Sequence, residues 1–258
     1  MSCGLAAPRI LRFTRRPQGG GNAPADDRAV FTAVVYVLAS GCAGRHVPGE
    51  FGMSPATAHR RFTAWTRAGL WPKLHKAVLD ELGRAGRWTG AARSLTRRPS
   101  ARKKGAPDRP GPGGPGQGST AHVLSGAGGL PLAAGVTAAN TADIEAARAL
   151  FMAIPAVRSR RGRSRRRPGK ARADKGYDSA DLRRWLRGRG ITPRIARRGT
   201  GSSERLGRYR WKTGRTLAWL IGYRRLVTRY ERHGYLFTAF LTLAAALTYY
   251  KKLAQTTT

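Results

Sequence analysis

The spacing of apolar and polar positions divides the chain into four zones. Residues 1–27 are rich in proline and glycine, hold no apolar period and read as a loose N-terminal segment. Residues 28–82 carry helical periods. "RAVFTAVVYVLASG" is an apolar helix that stops near Gly41. In "FGMSPATAHRRFTAWTRAGLW", Ser54 suits an N-cap and Pro55 the first helical position. Ala58, Phe62 and Trp65 then recur as an inner face, with Thr57, Arg60, Arg61 and Arg67 on the outer side. In residues 83–119 the period disappears. Glycine and proline break helix and strand alike and the arginines repel one another, so this zone is expected to form no core.

Residues 120–258 alternate between the two periods. "TAHVLS" and "LPLAAGVTAAN" are strands around a glycine-rich turn, and "TADIEAARALFMAI" is a helix with Thr141 as its cap. "ARAD" is a short strand ending at Asp174, "SADLRRWLRGRG" a helix closed by Gly190, and "ITPRIAR" a further strand. Two helices end the chain, "RWKTGRTLAWLIGYRRL" and an apolar one through "YLFTAFLTLAAALTYY". This order predicts an α/β fold, a mixed sheet with flanking helices, preceded by a small all-α region. One helix has a fault. Leu217, Ala218 and Ile221 share a face, and Gly214 falls on it one turn earlier, where it is expected to point inward. Glycine inside a helix costs about 1 kcal/mol relative to alanine.

Charge changes the picture more than composition does. The 258 residues hold 49 Lys and Arg against 13 Asp and Glu, a formal net charge of +36. Such a field binds polyanions, with nucleic acid as the default partner, although arginine-rich GC-heavy coding accounts for a share of the excess. A helix, a turn and a second helix presenting Arg60, Arg61 and Arg67 make a helix-turn-helix candidate. The alternative is a helical bundle with a solvated basic face. The run from Arg158 to Arg172 is a second basic element. Two cysteines, Cys3 and Cys42, indicate a reducing compartment and argue against a disulfide framework or zinc cluster. The apolar stretch Tyr235–Tyr250 is shorter than the ~20 residues of a spanning helix, so a buried helix of a cytoplasmic, nucleoid-associated protein is expected.

Asp174 stands where a strand ends and a loop begins, a place where carboxylates hold metals or simply cap the turn. Around it, "AVFTAVVYVLASGCAGRHVPGEFGMSPATAHRRFTAWTRAGLW", "IPAVRSRRGRSRRRPGKARADKGYDS" and "RLGRYRWKTGRTLAWLIGYRRLVTRYER" resemble bacterial insertion-sequence transposases of the DDE class. The resemblance implies an RNase H-like catalytic domain over residues 120–258 and a helical DNA-binding region over 28–82. It also implies two Asp and one Glu gathering two Mg²⁺ or Mn²⁺ ions for in-line phosphoryl transfer. Its partners would be the element's terminal repeats and target DNA, held by a homodimer, with no membrane and no small-molecule substrate. The basic positions assigned to DNA on this reading are Arg60, Arg61, Arg67, Lys170, Arg172, Lys175, Arg210, Arg215, Arg224 and Arg225.

Carried over residue by residue, the catalytic set is incomplete. The second Asp corresponds to Asp174, the metal ligand that survives in "RADKGY". The Glu belongs in a pattern like "RWKxERTLAWL", where this chain has Gly214. The first Asp belongs after "GRWT", where "GAARSLTRRPSARKKG" contains no acid. Glu204 and Glu231 lie too far along the chain to substitute, and Asp178 and Asp181, though next to Asp174 in sequence, fall on the following turn and helix. A compensated frameshift is the expected origin of the degenerate zone 83–119, with a flexible linker as the alternative. Gly44 replaces a tryptophan that the resemblance uses as a core anchor. The expectation is a transposase that binds DNA but no longer cuts it. The alternative is a non-catalytic basic DNA-binding protein that interferes with an intact transposase.

Overall fold

The structure, a computed structural model, describes residues 25–86, 93–102, 119–138, 141–158, 168–197 and 214–254. Three helices lead: α1 Asp27–Ser40, α2 Pro55–Arg67 and α3 Leu70–Arg84. Asp26 caps α1 by accepting from the Ala29 N–H at 3.0 Å, and Gly41 ends it at φ +73°, a conformation that suits glycine. Ser54 accepts from the Thr57 N–H at 3.2 Å with Pro55 opening α2, and Ala58, Phe62 and Trp65 are buried, as their spacing predicts. Two short 3₁₀ turns fill the stretch between α1 and α2, so the tight turn of the helical region is Ala68–Gly69, between α2 and α3. Gly44 lies in the first of these turns with open space beyond it. Phe62, Trp65 and Trp71 are buried together in the core of this region.

The remaining elements are β1 Arg93–Arg102, β2 Ser119–Ser125, β3 Pro131–Ala138, α4 Asp143–Met152, β4 Lys170–Ala173, α5 Ala180–Gly188 and β5 Thr192–Ile195. They are followed by α6 (residues 214–221), β6 Thr228–Arg229 and α7 Gly234–Ala254. The sheet order is β3-β2-β1-β4-β5, with β6 on the far end of β1. The first three strands are antiparallel, and β1, β4 and β5 run parallel. This is the mixed α/β sheet that the alternation of elements predicts, in the RNase H-like form that the resemblance implies. Thr141 does not cap α4, whose N-cap is Ala142 without a side-chain bond.

One expectation is overturned. The zone 83–119 was expected to build no core, yet residues 93–102 form β1, the strand that joins both halves of the sheet. The reason is local: glycine and proline crowd after residue 104, whereas 93–102 contains one proline and can alternate. Leu95 pairs with Leu124 and Thr96 with Val123. Leu95 and Leu124 face the core under α4 and α5, while Val123 faces α7 and the N-terminal helices. Residues 103–118 lie outside the described residues.

The helical region is therefore one layer of the molecule. Its core is continuous with α7 and the sheet: Phe62 stacks on Phe240 at 4.3 Å, and Val30, Trp65, Leu220, Phe237 and Val123 share one cluster. Helix α7 lies between β3 and α3, which explains why it is apolar nearly all round. Among the described residues no helix is long and apolar enough to cross one.

Candidate active site

Strand β4 carries Asp174 to the carboxyl edge of the sheet, between β1 and β5. Its side chain is exposed. Oδ1 accepts from the Gly176 N–H at 2.9 Å, capping a 3₁₀ turn over Lys175–Tyr177. Beneath the turn Tyr177 is fully buried, its hydroxyl 3.2 Å from His122 Nδ1, and His122 Nε2 lies 2.8 Å from Thr137 Oγ1. A buried hydroxyl–imidazole–hydroxyl chain thus ties the turn to β2 and β3. Both His122 and Tyr177 lie in stretches quoted above. Their pairing spans 55 positions, so periodicity carried no signal of it.

The acidic neighbours do not converge as metal ligands. A Cβ built on Gly176 would lie 3.0 Å from Asp143 Oδ2 and 3.1 Å from Asp174 Oδ1, so these two carboxylates flank one glycine. Asp143, in the first turn of α4, was not singled out in the sequence. Asp178 is held by Arg183 at 2.7 Å, Asp181 pairs with Arg148, and Glu231 is buried against Arg225. Among the described residues no group of three or more His, Cys, Asp and Glu could hold a metal ion. Mg²⁺ gives up its water only where several hard ligands converge. Asp174 with Asp143 does not make the donor set that a two-metal centre requires.

Gly214 does not point inward. Helix α6 buries Thr216 and Leu220, with Tyr223 just beyond its end, while Gly214, Arg215 and Ala218 are exposed. The inward face is turned by about one position because Thr216, read as polar, donates its hydroxyl to the Gly129 carbonyl. A Cβ at Gly214 would meet nothing within 4 Å, so this slot has room for a longer side chain.

The basic candidates divide in two. Arg60, Arg67, Lys170, Lys175, Arg215 and Arg224 are exposed, and Arg172 is half-buried. Arg61 turns back to pair with Asp27 of α1 and lies 5.9 Å over the Trp65 ring, so it braces α1 on α2 rather than pointing outward. Arg225 is a further correction. Its side chain is 7% exposed and Glu231's is 5%, with Nε donating to Glu231 Oε1 at 2.8 Å and Nη1 to the Cys42 carbonyl at 2.6 Å. It locks the helical layer to the C-terminal segment and is not presented to a phosphate. Arg210 lies outside the described residues.

Comparison with known proteins agrees with this topology. The transposase DDE domain profile matches residues 100–249, and the profile described as a putative transposase of the IS4/5 family matches residues 5–75. The chain is 47% identical over 130 residues to a putative transposase for insertion sequence element IS402 of Burkholderia cepacia, covering 50% of this chain and 62% of that protein. It is 38% identical over 69 residues to an uncharacterized 16.2 kDa protein of the same element, covering 26% and 47%. The chain thus spans less than two thirds of either relative. Among solved structures, the Mos1 strand transfer complex aligns with 94% of this chain and 81% of its own at 9% identity and a TM-score of 0.33. With the DDE profile over more than half of its residues, the chain belongs to the transposase DDE domain family.

Proposed function

We propose that this chain binds the DNA ends of an insertion element and neither cuts nor joins them. The observation that carries the reading is the small donor set at Asp174, which has Asp143 across Gly176. Asp174 stands at the strand end where the family's chemistry belongs, and no set of three metal-ligating side chains forms around it among the described residues. DNA binding is supported by the charge of +36 and by the exposure of Arg60, Arg67, Lys170, Arg215 and Arg224. A chain that occupies element ends without cleaving them would interfere with an intact transposase, which needs the same ends. Such a protein would meet DNA in the nucleoid and act there as a homodimer.

The test has two arms. Purified protein with Mg²⁺ or Mn²⁺ should leave element-end DNA unnicked and unjoined; detectable strand transfer overturns the non-catalytic half. Binding to the same DNA should fall steeply with salt, because six to ten phosphate contacts lose about 10³–10⁵ in affinity between 50 and 200 mM. A flat affinity over that range overturns the DNA-binding half. Equal affinity for random DNA would reduce the protein to a nonspecific polycation.

A further inference from the structure

We infer that the outer edge of the sheet, formed by β5 and the arginines of α5, is a second DNA-contacting surface that holds the phosphodiester backbone without reading sequence. The inference rests on the reading above only in that the chain binds DNA. Strand β5 ends the sheet and pairs with β4 alone. The Thr192 N–H donates to the Gly169 carbonyl at 3.0 Å and the Ala196 N–H to the Ala173 carbonyl at 3.2 Å. Even-numbered residues thus bond β4, and the backbone groups of Pro193 and Ile195 face outward. Pro193 has no N–H to offer there. The Ile195 carbonyl already accepts from Arg183 Nη2 at 3.0 Å. An edge with a donor missing and an acceptor occupied is a poor template for another strand, so its partner is not a β-strand of a second protein.

The charge at this edge points to a polyanion. Between Asp181 and Glu204 the chain has seven arginines and no acid. Helix α5 buries Leu182 and Leu186 and exposes Arg184 and Arg187, while Arg194 on β5 and Arg197 just beyond it are exposed as well. Among the described residues none of these four has an acidic partner. The acids nearest in sequence are engaged, Asp178 by Arg183 and Asp181 by Arg148. Arg194 is moreover level with Arg172 of β4, and like charges side by side on neighbouring strands are unfavourable. An anion laid along the edge removes that cost. A fifth arginine, Arg189, is held 4.5 Å over the Trp185 ring, which packs against Phe151. This engages the ring that could otherwise stack on a base and leaves planar guanidinium donors, which suit phosphate oxygens. The helical layer packs on β2 and β3, so β5 lies three strands, roughly 14 Å, beyond β2. The edge therefore acts independently of Arg60 and Arg67 on α2.

The experiment measures binding of the full chain to an element-end duplex and to a random-sequence duplex of equal length across a salt series. Arg187→Gln, Arg194→Gln and Arg197→Gln combined should lower the salt slope by about 3, one for each arginine, and weaken both duplexes by the same factor. Arg28→Gln, Lys73→Gln and Arg232→Gln combined remove the same charge from exposed positions elsewhere and should leave the slope within about 1 of wild type. The inference fails if the edge variant keeps the wild-type slope, if the control variant lowers it equally, or if the weakening is confined to one duplex. Should the edge variant not fold, the wild-type chain supplies the readout. Random duplex should slow the modification of Arg187, Arg194 and Arg197 by phenylglyoxal, followed by peptide mapping, and leave Arg232 unaffected. Equal rates with and without DNA overturn the assignment. A wild type that binds neither duplex overturns this inference together with the DNA-binding reading, whereas a wild type that binds, and whose slope survives the edge substitutions, overturns this inference alone.

Discussion

Acidification should loosen the helical layer from the sheet through His75. This side chain of α3 is buried, with Nε2 3.1 Å from the Pro131 carbonyl at the start of β3 and its ring 5.6 Å from that of Tyr249 in α7. Burial pushes its pKa down from 6.5 to about 4, the hydrogen bond to the carbonyl opposing this only in part. The imidazole is therefore neutral in the folded protein at pH 7. Below pH 6.5 the unfolded chain takes up a proton that the folded chain refuses until about pH 4. Protons bind preferentially to the unfolded state across this window, so stability falls as pH falls. A shift of this size corresponds to about 3 kcal/mol in full, of which about 2 kcal/mol should be lost between pH 7 and pH 4.5. Urea unfolding followed by circular dichroism, on wild type and His75→Gln across that range, isolates the effect, since the carboxylates titrate in both proteins. The stability difference between the two should shrink by about 2 kcal/mol on acidification. A difference that stays constant within about 0.5 kcal/mol would refute the account.

Other perturbations follow from the same contacts. Arg225→Ala should cost about 3–5 kcal/mol, because it leaves the Glu231 carboxylate buried without its partner, and Arg225→Lys should not restore the bonds to both Glu231 and the Cys42 carbonyl. Denaturant midpoints measure both. Gly83→Ala should destabilise by about 1–3 kcal/mol or more, since its Cβ would fall 1.8 Å from the Arg158 carbonyl oxygen and force apart the bond from the Arg158 N–H to Asp80 Oδ1. Gly214→Glu should fold as well as wild type, gaining up to about 1 kcal/mol from the removal of glycine, and should still fail in strand transfer. Arg60→Ala should lower the salt slope of DNA binding by about 1. Arg61→Ala should act through stability instead, because its partner is Asp27.

The sequence made legible what depends on local spacing. The caps at Ser54 and Gly41, the inner face of α2 and the strand–turn–strand of β2 and β3 follow from three- and four-residue periods and from turn chemistry. What it could not carry are the relations between distant elements. Arg61 and Arg225 look alike as exposed cations until Asp27 and Glu231 are brought against them. Thr216 looks like an outward position until the Gly129 carbonyl faces it, and that one hydrogen bond turns α6 enough to expose Gly214. Strand β1 was hidden by averaging: its neighbours' glycines and prolines dominated a window in which residues 94–100 can pair in register with β2. At the site, Asp174 was legible as a residue at a strand end, while its capping bond and its neighbour Asp143 were not.

On the proposed reading the fold survives beside a depleted site, and this has a physical basis. Carboxylates gathered to hold cations repel one another, and burial disfavours their charged forms until an ion neutralises them. Thr96, almost wholly buried in β1, is uncharged, and the strand pairs through its backbone. At Gly214 the absent side chain leaves open space outside the helix, so no packing is lost and the burial of Thr216 and Leu220 is untouched. The cost there is the backbone freedom of one glycine, about 1 kcal/mol. The contacts that hold the layers together sit elsewhere, in the stack of Phe62 on Phe240, the buried Arg225–Glu231 pair and the His75 junction. On that reading stability and chemistry are carried by separate residues, and loss of the second exerts little force on the first.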